Sequence, residues 1–310
     1  MAKTKNIKVV QAEPLVVLNG GVVKIQCSPF ISPWELEDEH ISLGEKSVVN
    51  IMGASSSEVI FKILDLPQEQ KESLDISFSH SVYSTGPRSK KLFTPFLLSE
   101  NHSIGASPVC DIYGNIYFID LKDFHDSKNS VIYQYQPATK KVVPFLKGIS
   151  APTSLAFFEG VLLVTSMLER KVYRCIAPNE AETFSQGLGS TFGIAVNSLG
   201  EIFAGDQAGS LFKIDSTGKA SFYTSLPETF KGYHFAISQT NQLYVAVPSN
   251  MGKNTIYHIN DKKEAVPFIE TMNVLGGVAF SSDNKIFWVE NSREEGMVLT
   301  LDKNNQPQKV

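Results

Sequence analysis

Six side chains carry most of the chemistry that the residue types and their spacing allow: Asp120, Asp206, Glu290, His234, Phe192 and Tyr233. The three acids end runs of one form, NIYFID, EIFAGD and KIFWVE. Carboxylates at matching positions of a repeated element could ring one face and contact a ligand. The same acids also suit accepting backbone N–H bonds where a strand turns. His234 heads the run HFAI, where an imidazole either faces a channel or packs as a hydrogen-bonded core group. Phe192 and Tyr233 stand where two neighbouring runs begin. They offer flat aromatic surface to a ligand, or fill a shaft. The six histidines are scattered without an HExxH pattern. The three cysteines, Cys27, Cys110 and Cys175, form no CxxC pair and sit in apolar runs, so they are expected as buried reduced thiols. No Ser-His-Asp arrangement follows from spacing, because such triads meet only in three dimensions.

These residues are positioned by repeats. Ser190 to Leu226 reads as four short strands, GIAV, EIFAGD, SLFKI and SFYTSL. Each is rich in β-branched and aromatic residues and bounded by Gly, Asp, Asn or Ser. The pattern recurs. Second-strand anchors Ile116, Val161, Ile202, Leu243 and Ile286 are 45, 41, 41 and 43 residues apart. First strands are PVCD, SLAF, GIAV, HFAI and GVAF. Their third residues, Cys110, Ala156, Ala195, Ala236 and Ala279, are all small, as crowding near a central axis requires. Third strands are VIYQY, KVYRC, SLFKI, TIYHI and MVLTL. Fourth strands follow in four copies, but the polar tail after Leu301 offers none. FTPFLL, Phe93 to Leu98, stands before the first copy and is expected to supply the missing outer strand. The predicted fold is all-β, with a five-bladed (alternatively six-bladed) β-propeller closed by that N-terminal strand.

Residues 1–90 differ. Short strands at KVV, VVKIQC, HISLG, SVVNIMG, EVIFKIL and SLDISF, with turns between them, predict a β-sandwich. The polar stretch STGPRSKK, Ser84 to Lys91, marks the boundary, giving domains 1–90 and 91–310. The acidic run Glu35 to Glu39 and the loop Arg293 to Glu295 are expected to be solvated.

Pro14, then Gly20-Gly21 leading into Val23 and Ile25, with Leu43-Gly44 and SSSEVIFKI beyond, resembles an IPT/TIG domain. That resemblance implies an immunoglobulin-like module acting as a spacer or interaction platform. The GNIYFID form of Gly114 to Asp120 and its echoes resembles the NHL and gluconolactonase-like (senescence-marker protein) propellers. In the lactonases, the resemblance implies a divalent metal held by carboxylates and amides where several first strands begin. The matching pairs are Ala106-Ser107, Pro152-Thr153, Thr191-Phe192, Gly232-Tyr233 and Leu275-Gly276, and none contains Asp, Glu or Asn.

The 310 residues are 42% hydrophobic and carry a net charge of −4, which provides no footprint for nucleic acid. No apolar run is long enough for a membrane span. The start, MAKTKNIKVV, lacks the apolar core of a secretory signal, so the cytoplasm is the expected location, with the cell surface or periplasm expected if a signal has been removed. The expected function is a non-enzymatic ligand- or protein-binding propeller with an Ig-like spacer, needing no cofactor or metal. Its partner is a small molecule or protein. The alternative is a gluconolactonase-like lactone or ester hydrolase using calcium or zinc.

Overall fold

The computed structural model describes residues 5–13, 22–28, 36–38, 41–44, 48–65, 73–78, 83–85, 89, 91–93, 107–120, 130–249, 251–292 and 296–310. Pro14, Gly20, Gly21, Ala106 and Arg293 to Glu295 lie outside them. The chain forms two compact units, Met1–Leu97 and Leu98–Val310.

The first unit holds two sheets. One runs Val48–Ala54, Glu58–Asp65, Val22–Ser28, Lys5–Glu13 and Tyr83–Thr85, the last pair parallel. The other runs Ile41–Leu43, Ser73–Phe78 and Lys91–Phe93. Alternation along Val22–Ser28 turns Val23, Ile25 and Cys27 inward. There they join Phe61, Leu43 and Ile76 in one cluster drawn from both sheets. Burial pushes the Cys27 thiol up to about 12, so it stays protonated and inert.

The second unit is five four-stranded antiparallel sheets. The first comprises Val109–Cys110, Ile116–Ile119, Val131–Gln136 and Lys141–Lys147. The second comprises Pro152–Phe158, Val161–Ser166, Lys171–Ala177 and Glu180–Gln186. The third comprises Thr191–Val196, Ile202–Asp206, Ser210–Ile214 and Ala220–Ser225. The fourth comprises His234–Ile237, Leu243–Val247, Asn254–Ile259 and Ala265–Thr271. The fifth comprises Val274–Phe280, Ile286–Asn291, Gly296–Leu301 and Pro307–Lys309. The arrangement is propeller-like.

One turn chemistry recurs through the unit. The side chains of Asp111, Asn197, Asp215, Ser238, Asn260, Ser281 and Asp302 each accept the backbone N–H four residues on. The residue before that N–H is left-handed each time, from Gly114 at φ 80° to Asn305 at φ 58°. Gly, Asn and Lys fill that place here; Gly does so without strain.

Successive sheets bury apolar faces against each other. Tyr117 and Ile119 of the first sheet meet Leu155 and Val164 of the second. Phe158 and Leu163 meet Ile194 and Ala204 of the third. Phe203 meets Val245 of the fourth, and Ile256 meets Trp288 of the fifth. Among the described residues, no comparable cluster joins the fifth sheet to the first.

The expected closure by Phe93 to Leu98 is corrected. The outer place in the fifth sheet belongs to Pro307–Lys309, with Leu301 opposite Pro307. Lys91–Phe93 pairs instead with Ser73–Phe78 in the first unit, and residues 94–98 lie outside the described chain. The polar tail concealed this strand because, unlike the other outermost strands, it is exposed at all three of its residues. The available signal was Asp302 to Gln306, which copies the recurrent turn.

Candidate functional site

The five inner strands surround a cavity of about 720 Å³. Cys110, Ala156, Ala195, Ala236 and Ala279 all line it, so the small-residue column is the cavity wall. These side chains leave room that Leu or Phe at the same positions would fill. The described lining is otherwise mainly aliphatic and aromatic and contains no Asp, Glu, Lys or Arg.

Its polar groups are few. Two residues before Ala236, His234 is partly buried and lines the cavity. Burial lowers its pKa below the usual imidazole value, so the ring is neutral at neutral pH. Ser107 and Ser154 also line the cavity, and their hydroxyls hydrogen-bond each other at 2.8 Å. A neutral imidazole and a hydroxyl pair provide both donors and acceptors for an uncharged ligand group.

The depressed pKa makes stability depend on His234 in acid. Below about pH 6.5 the unfolded chain binds a proton that the folded state refuses. Stability is therefore retained above that pH and falls as pH drops toward the lower folded value. In His234→Gln the loss of melting temperature between pH 7 and pH 5 is expected to be smaller than in the unsubstituted protein. Parallel melting curves across that range would remove His234 from the account.

The other five candidates are engaged elsewhere. Tyr233 is 3% exposed, donates its hydroxyl hydrogen to the Pro227 carbonyl at 2.6 Å and stacks on Phe235 at 6.2 Å. The Phe192 ring packs over Gly232, where any Cβ would collide with it. Asp206 accepts the Ser210 N–H at 2.8 Å across a turn. Glu290 accepts from the Trp288 indole, the Thr271 hydroxyl and the Asn273 amide, each at 2.8 Å. Asp120 is 9% exposed at a strand end, and its backbone N–H bonds the Val131 carbonyl at 3.2 Å. None of these five lines the cavity; the structure does not bring the six together.

Cys110 departs from the expectation of three buried thiols: it is exposed to the cavity, whereas Cys175, like Cys27, is buried and its thiol is pushed up to about 12. Native protein treated with a small aromatic disulfide reagent is expected to lose one thiol, and denatured protein all three. Equal labelling of all three in the native state would contradict the assigned burial.

The donors at the inner-strand starts do not fit a divalent ion. Thr153 Oγ1 donates to the Thr191 carbonyl and sits 2.8 Å from Thr165 Oγ1, so these oxygens already serve one another. Among the described residues, no three His, Cys, Asp or Glu side chains converge as ligands. No helix among them is long and apolar enough to cross a membrane.

The class the fold defines is an all-β protein with a propeller-like unit. No family model matches the chain, and no curated protein matches it. Solved structures do. An auxiliary nutrient binding protein from Bacteroides thetaiotaomicron aligns over 98% of this chain and 85% of its own, at 13% identity and TM-score 0.53. Virginiamycin B lyase from Staphylococcus aureus aligns over 67% and 70%, at 15% identity and TM-score 0.52. A gluconolactonase from Xanthomonas campestris aligns over 68% and 77%, at 14% identity and TM-score 0.52. At these identities the likeness is one of fold.

Proposed function

We propose that this protein is a non-enzymatic binding protein whose propeller unit holds a neutral, largely apolar small molecule in the central cavity. The observation that carries the reading is the wall. It offers ample volume, a small-residue column, one neutral imidazole and a serine pair, with no carboxylate among its described residues. A site that polarised an ester carbonyl through a cation would need charged oxygen ligands there. In this reading the first unit, Met1–Leu97, is an Ig-like spacer module, and Leu98–Val310 is the ligand-binding domain. One solved structure of similar fold is described as nutrient-binding, and we carry that role over as part of the proposal. The cavity wall supports it; the likeness alone does not.

The test is a fluorescence titration with N-phenyl-1-naphthylamine, a neutral aromatic probe, beside a δ-lactone hydrolysis assay with and without EDTA. Saturable one-site binding is expected, abolished by Ala236→Trp, which fills the cavity from its wall. Lactone turnover that EDTA removes would overturn the reading and favour a metal-dependent hydrolase.

A further inference from the structure

The cavity is not symmetric. In the first four sheets the described lining comes from the inner strands and from Ser107 and Pro108, which lead into the first of them. In the fifth sheet it continues outward, through Phe287, Trp288 and Val289 on the second strand to Val298 on the third. Pairing explains this. Gly277, Val289 and Val298 stand opposite one another in a row across three strands, and Ala279 opposes Phe287 two rows on. Side chains of one cross-strand row share a face. Ile286, Trp288 and Leu299 belong to the opposite face and pack into the cluster shared with the fourth sheet. The face with Val289 and Val298 is the one for which no cluster with the first sheet is found among the described residues. Val298 is 47% exposed.

From this geometry, and resting on the binding reading above, we infer that the ligand is an elongated, uncharged amphiphile. Its polar end lies by His234, Ser107 and Ser154, and its apolar arm lies along the face of the fifth sheet that carries Val289 and Val298. Three strands at about 4.8 Å spacing give that floor a width of about 10 Å. Gly277 and Ala279 keep the inner end low, so the floor joins the cavity without a step. The absence of charge along the described lining selects against a carboxylate, which would be desolvated with no cation beside it.

Displacement of N-phenyl-1-naphthylamine by straight-chain primary alcohols tests this, with the matching fatty acids as a second arm. Affinity is expected to rise about fourfold per added methylene, from about 0.8 kcal/mol per buried CH₂, until the chain outruns the floor. At equal length the alcohol should bind more tightly than the acid at pH 8. Val298→Asp and Val298→Lys, substitutions at an exposed position, should both erase the gain from the longer chains. Chain-length dependence identical in these variants and the unsubstituted protein would overturn the slot. Tighter binding of the acids would overturn the uncharged class. No probe binding at all would overturn the underlying cavity reading instead.

Discussion

Glu290→Leu is expected to lower the unfolding free energy of the propeller unit by about 3 kcal/mol, because it strands buried donors. The carboxylate is 6% exposed and takes hydrogen bonds from Trp288, Thr271 and Asn273. Leucine fills much of the volume but accepts nothing. Thr271 and Asn273, only partly enclosed, can turn toward water. The Trp288 indole, in a residue 1% exposed, cannot. Glu290→Gln keeps one acceptor oxygen and is expected to cost about 1 kcal/mol. Urea denaturation followed by tryptophan emission measures both. An unchanged midpoint in Glu290→Leu would release this acid from its structural role and restore it as a ligand candidate.

Gly218→Val is expected to cost about 3 kcal/mol or more and to reduce the yield of folded protein. Two effects coincide there. Gly218 has φ 85°, a conformation in which a β-branched residue is an outlier. A Cβ would also run into the carbonyl oxygen of Phe184, on the outer strand of the second sheet. Backbone cannot swing aside as a long side chain can, so the turn would have to lift off the neighbouring sheet. Gly218→Ala meets the same oxygen with one carbon fewer and should lie between the two in melting temperature. If the valine variant melts with the unsubstituted protein, the close contact between these sheets is wrong.

The amino-acid sequence by itself determined the repeat. Anchors at near-constant spacing, bounded by Asp, Asn, Ser and Gly, require strands and turns of fixed length whatever the chain later packs against, because alternation and turn chemistry are local. It also placed the column of Ala and Cys in first strands at one axis, while packing decided that the column walls a cavity there. The last outer strand was legible only in its turn: Asp302 to Gln306 repeats a hydrogen-bond pattern that composition does not reveal, while QPQKV looks like a tail. Tertiary structure alone decided which polar groups face the cavity. Asp206, Glu290 and Tyr233 read as site residues from type and position, yet each meets a nearby partner first: Ser210, Trp288 and the Pro227 carbonyl. His234 differs because its column neighbours are small and its strand begins at the axis. Spacing places a residue on a strand. Whether its polar atom is used within the sheet or left facing the cavity depends on the three-dimensional distances that packing sets.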